Sequence, residues 1–100
     1  MPQDNPYGFA PLDVAELLDS EEMIAVFLSE ASNDPDPQVL LAAIAAVARA
    51  RGMARVAADA GLGRESLYKT LAPGAHPRYE TVQRIIRALG VRAAFEPAQT

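Results

Sequence analysis

Met53-Ala54-Arg55-Val56-Ala57-Ala58-Asp59-Ala60-Gly61-Leu62-Gly63-Arg64-Glu65-Ser66-Leu67-Tyr68-Lys69-Thr70-Leu71 is the stretch whose spacing decides the fold. Its glycines split two short pieces, at about residues 53–60 and 64–71. Two short helices that cross steeply around a tight turn need a small residue where they meet, and Ala57 supplies it. The first residue of such a turn benefits from a left-handed backbone, which Gly61 adopts without a Cβ clash. Leu62 plugs the corner, while Val56, Leu67 and Leu71 pin the pair to neighbouring helices. Each of these residues is common alone. At these offsets, with a helix on either side, they predict a helix-turn-helix rather than an unspecialised helical hairpin.

Working back from this stretch, residues 37–51 are rich in Leu, Ala, Ile and Val. Leu40, Ile44 and Val47 form one stripe, with Leu41, Ala45 and Ala48 beside it, so a core helix is expected to run from Pro37 to a stop at Gly52. Asn33-Asp34-Pro35-Asp36-Pro37 is a loop on its turn chemistry. Met23, Ile24, Phe27, Leu28 and Ala31 recur at helical spacing over residues 20–32, with Asp19 or Ser20 as N-cap. Residues 13–18 allow one short turn. Pro2, Pro6, Gly8 and Pro11 make the start of the chain an extended arm. Downstream, Pro73, Gly74 and Pro77 mark a loop before a last helix over 79–89. Gly90 ends that helix, and the weak alternation of residues 91–95 suggests a short strand. The expectation is an all-α fold: a compact bundle of about five helices carrying a helix-turn-helix, plus a short C-terminal strand. It divides into an arm at 1–18, a helix-turn-helix domain at 19–90, and a strand and tail at 91–100.

A chain of 100 residues has room for one core, which buries roughly two thirds of the unfolded surface. With no cysteine, disulfides, thiol catalysis, zinc fingers and iron–sulfur sites are excluded. The apolar run at 39–48 stops at Arg49, well short of the ~20 residues of a membrane helix, and residues 1–9 lack the basic and apolar regions of a secretion signal. A soluble cytoplasmic protein is expected. The net charge of −4 would by itself discourage a nucleic-acid partner. By position it divides: residues 1–48 hold nine acidic residues and no Lys or Arg, and residues 49–100 hold all nine basic residues against four acidic ones. Such asymmetry suggests partners of opposite sign.

The basic half coincides with the helix-turn-helix. Residues 64–71 then form the recognition helix, whose N-terminal side chains reach base edges in the major groove. Its polar face presents Arg64, Glu65, Ser66 and Lys69, with Tyr68 nearby. Arg64 or Lys69 can pair with guanine O6/N7, Glu65 can accept from cytosine N4, and Ser66 suits a base edge or a phosphate. Arg55 and Arg78 are better placed for phosphates, which fix register without specifying sequence. Arg49, Arg51, Arg84, Arg87 and Arg92 read as solvated cations.

The elements Leu17-Leu18-Asp19-Ser20-Glu21-Glu22, Ala48-Arg49-Ala50-Arg51-Gly52-Met53 and residues 61–71, followed by Thr81-Val82 and Ala88-Leu89-Gly90-Val91, resemble the addiction-module antidote proteins. These are antitoxins with a lambda-repressor-like, Xre-type helix-turn-helix. The resemblance covers roughly residues 9–95 and is most specific over 64–71. It implies a homodimer that binds double-stranded operator DNA and neutralises a RelE/ParE-like toxin, typically an mRNA-cleaving ribonuclease encoded beside it. Two positions depart from the family pattern. Arg55 stands where a glutamine is common, which exchanges a polar phosphate contact for a charged one. Gly63 stands where a serine N-cap is common, a small loss because glycine is tolerated there.

The resemblance gives the acidic half a meaning. A toxin that binds RNA needs a cationic surface, which Asp13, Glu16, Asp19, Glu21, Glu22 and Glu30 can attract and cover. Phe9 and Leu12 are candidate apolar anchors, whereas Phe27 reads as core. Catalysis is not expected: His76 is a loop residue, Ser66 has no base beside it, and the carboxylates lack metal-ligand spacing. No cofactor or metal is implied. A stand-alone helix-turn-helix regulator without a toxin is the main alternative, and the neighbouring gene discriminates between the two. Deleting residues 1–18 is expected to weaken binding to a cationic toxin in a pull-down titration; unchanged affinity would remove the arm from the toxin interface.

Overall fold

The computed structural model describes residues 20–98, and its first helix begins at a side-chain cap. The Ser20 hydroxyl accepts from the Met23 N–H at 3.2 Å, and Glu21 and Glu22 place negative charge in the first turn, where the helix dipole favours it. This starts α1 (Glu21–Ser32). Asp34 and Asp36 organise the next loop: Asp34 Oδ1 accepts from the Asp36 N–H and Asp36 Oδ1 from the Gln38 N–H, both at 2.9 Å. Pro37 then opens α2 (Pro37–Arg51), where its missing N–H costs nothing. Gly52 alone separates α2 from α3 (Met53–Ala60); α4 (Arg64–Thr70) and α5 (Tyr79–Ala88) follow.

The five helices surround one core. α1 packs on α2, α3 packs on both α2 and α5, and α4 leans on α3. Ile24, Ile44, Val47, Val56, Leu67, Ile85 and Leu89 are its largest fully buried side chains. Both predicted stripes of α2 face this core, with Leu40 and Val39 packed at its edge and half-buried. Phe27 lies in the same cluster, as its spacing suggests. Among the described residues no charged or polar residue is buried. No helix among them is long and apolar enough to cross a membrane.

The predicted helices agree with the observed ones to within a residue, because caps, prolines and glycines mark most of their ends. The C-terminal strand is a correction. Residues 91–98 form neither helix nor strand, and no strand occurs among the described residues. Among the described residues this segment has no neighbouring strand to exchange ladder hydrogen bonds with, and weak alternation alone does not make one. Residues 92–98 face solvent, with Phe95 91% exposed. The expected arm at 1–18, including the turn at 13–18, lies outside the described residues.

Leu67 carries the heaviest packing burden, since it is the one fully buried side chain of a helix only seven residues long. Leu67→Ala should lower the unfolding free energy by about 2–5 kcal/mol, read from the midpoint of a urea titration.

Candidate nucleic-acid interface

α3 has eight residues and α4 seven, each too short to hold helical form by itself in water. What fixes them is the turn between. The Leu62 N–H donates to the Ala57 carbonyl at 2.8 Å and the Gly61 N–H to the Ala58 carbonyl at 3.1 Å, the paired closure of a Schellman motif. Gly61 sits at φ 71°, the left-handed region that a side chain makes costly. This closure does not reach the carbonyls of Ala60 and Gly61. Arg84, on α5, donates to both: Nε to Ala60 O at 3.1 Å and Nη2 to Gly61 O at 2.9 Å. A cation there also complements the negative end of the α3 dipole.

Arg84 is exposed, as its sequence reading as a solvated cation expects, but that reading misses its bonding to the turn. No local signal reveals it, because its acceptors lie 24 and 23 residues away. Gly61 is fitted to the same contact: a Cβ at this position would stand 2.9 Å from Arg84 Nη2. The left-handed backbone is what disfavours a side chain here, and one placed at this position would also displace the Arg84 guanidinium.

Past the turn, Leu67 anchors α4 in the core and Leu71 closes its end, which turns the opposite face outward. Arg64, Glu65, Ser66 and Lys69 are exposed, and Tyr68 is 45% exposed. The Arg64 guanidinium lies 5.8 Å from the centroid of the Tyr68 ring, one helical turn on. This cation–π contact lays the long arginine along the helix and lowers the entropy it would lose on meeting a ligand. His76 is exposed in a separate loop.

Arg55 is exposed on α3 and stands 4.0 Å from Asp59. An ion pair this open is worth about 0–1 kcal/mol and can be exchanged for a phosphate at little cost. Arg78 is exposed immediately before α5. The loop leading to it is tied down by Gln38, whose Nε2 donates to the Ala75 carbonyl at 3.0 Å while Oε1 accepts from the Gly74 N–H at 3.0 Å. A single amide so satisfies both a donor and an acceptor of the loop backbone.

The acidic residues divide. Glu22 and Glu30 are exposed on α1, eight residues apart on one helical face, and neither joins an ion pair among the described residues. Val26, 55% exposed, lies between them. Glu21 instead accepts from Arg51 Nη2 at 3.3 Å, which ties the start of α1 to the end of α2. Its stem also rests on Gly90, where a Cβ would come within 2.7 Å of Glu21 Cγ. Arg51, a solvated cation in the sequence reading, is only 24% exposed as a result. Phe9, Leu12, Asp13, Glu16 and Asp19 lie outside the described residues. Among the described residues no group of three His, Asp or Glu side chains is arranged to hold a metal.

Residues 8–97 match the family described as "Probable addiction module antidote protein". A protein of Haemophilus influenzae, described only as an uncharacterized protein, is 41% identical to this chain over 80 residues, which is 80% of this chain and 82% of that protein. No solved structure matches the chain.

Gly61→Ala should destabilise the fold by about 1–3 kcal/mol, because it forces a side chain into left-handed backbone while pushing Arg84 aside. Chemical denaturation monitored by circular dichroism measures the loss.

Proposed function

Because this chain belongs to the family of probable addiction module antidote proteins, we propose that it is the antitoxin of a type II toxin–antitoxin module. It neutralises a small RelE/ParE-like toxin by direct binding and, as a homodimer, represses its own operon through a helix-turn-helix made of α3, the turn and α4. The family match across residues 8–97 carries the reading. The exposed face of α4 supports the DNA half of it.

On the exposed surface of α4, Arg64, or Lys69 five residues along, donates to guanine O6 and N7. Glu65 accepts from a cytosine amino group, and Ser66 serves a base edge or a phosphate. Tyr68 holds Arg64 extended and is free to contact a base or the sugar–phosphate backbone. Arg55 and Arg78 take phosphates on either side, setting the helix in register so that the base contacts fall in place. Two copies meet half-sites about one helical turn apart. If Arg55, Lys69 and Arg78 of both copies neutralise phosphates, about six counterions leave, and log K falls with log salt at a slope on the order of −5.

The toxin half rests on charge. Glu22 and Glu30 flank Val26 on the outer face of α1 and offer a cationic partner attraction at the edge and apolar area at the centre; Asp13, Glu16 and Asp19 precede this helix in sequence and add negative charge to the same half of the chain. Glu21, engaged by Arg51, contributes less directly.

Two measurements test the reading. Co-expression with the product of an adjacent reading frame should yield a complex that copurifies and relieves toxicity; a chain that binds its promoter but no neighbouring product is instead a stand-alone regulator. Arg64→Ala should cost about 1–3 kcal/mol on the promoter duplex and less on random duplex, read by fluorescence anisotropy. Equal losses on both would make Arg64 a phosphate contact.

A further inference from the structure

Arg84 is an exposed cation on α5, yet its guanidinium is committed to two main-chain carbonyls of the turn that precedes α4. We infer that Arg84 is a positioning residue for DNA recognition: by bonding the main chain of the turn, it sets the direction in which α4 presents Arg64, Glu65, Ser66 and Lys69. The inference rests on the DNA half of the proposed function.

Three observations lead to it. First, both contacts of the guanidinium are to consecutive backbone carbonyls, Ala60 and Gly61, at 3.1 and 2.9 Å, at the point where the chain leaves α3 for α4. Second, α4 lacks a side-chain cap of its own: Gly63 occupies the N-cap position and offers no acceptor. Its core side is held by Leu67 and Leu71, and its N-terminal end depends on the turn that leads into it. Third, Arg84 belongs to α5, which packs against α3, so the bond triangulates the turn from an element outside the two short helices. Gly61 completes the arrangement by leaving room for the guanidinium.

Arginine suits this task better than lysine. Its planar fork spans two adjacent carbonyls with fixed spacing, whereas an ammonium is a point charge that keeps the attraction to the helix end without the geometry. A positioning role also differs from a phosphate contact in what it changes. Loss of a phosphate contact weakens all duplexes alike and lowers the salt slope by about one. Loss of positioning misaligns base contacts while the phosphate count stays the same.

The experiment compares wild type, Arg84→Met and Arg84→Lys in the full chain, below the melting temperature of the least stable variant. Affinities for the promoter duplex and for a random duplex are measured across a salt series, and amide hydrogen exchange is followed at residues 62–67. Arg84→Met should weaken promoter binding about tenfold, the equivalent of one base contact. Random-duplex affinity and salt slope should stay at the wild-type values, while exchange at 62–67 quickens. Arg84→Lys should fall between the two. A parallel loss on both duplexes with a shallower slope would overturn the proposal in favour of a phosphate contact. Unchanged affinities with only a lower melting temperature would overturn it in favour of a purely stabilising bond. If the wild type binds no duplex, the DNA reading itself fails and the specificity role with it; the exchange data then still report separately whether Arg84 holds the turn.

Discussion

Two helices of eight and seven residues cannot support themselves, and everything distinctive about this domain depends on how the three residues between them are held. Local closure by the Gly61 and Leu62 amides takes up the Ala57 and Ala58 carbonyls at the end of α3 but not those of Ala60 and Gly61. Arg84 closes those from a third helix. Leu67 and Leu71 then fasten α4 to the core from beneath, so its outer face needs no part in stability. That freedom is the physical precondition for a recognition surface: side chains released from packing are available for a partner.

The charge distribution works on a different length scale. Opposite charges are gathered in the two halves of the sequence and are largely left uncompensated within the fold. Only Arg51–Glu21 and Arg55–Asp59 form ion pairs among the described residues. The first links α1 to α2, and the second is an exposed contact within α3. Glu22, Glu30, Arg64 and Lys69 remain exposed. Self-pairing on a small domain would have masked both signs. Leaving them open keeps the long-range field that steers partners of opposite charge.

Where the sequence was legible, the cause was local. Ser20 and Pro37 announce helix starts because a cap acts within three residues of its donor and proline suits the first turn. Gly61 announces the turn because left-handed backbone selects glycine at a single position. The face of α4 follows from alternating Leu67 and Leu71 with polar neighbours. Arg84, Arg51 and Gln38 were illegible for the converse reason. Their partners stand 23 to 37 residues away, and an arginine or glutamine on a helix looks alike whether it meets solvent or a distant carbonyl. The strand at 91–95 failed because alternation describes one segment, whereas a strand is a property of two.

The Gln38 clamp and the Arg84 cap share a chemical trait: each bonds only to main-chain atoms, at Gly74 and Ala75 in one case and at Ala60 and Gly61 in the other. Main-chain donors and acceptors are the same whatever residue bears them. The frame around α4 is consequently indifferent to the identity of residues 64, 65, 66 and 69, and those positions can be rewritten one at a time without renegotiating the scaffold. The exposed face of α4 can therefore change its chemistry while the mount that carries it stands still.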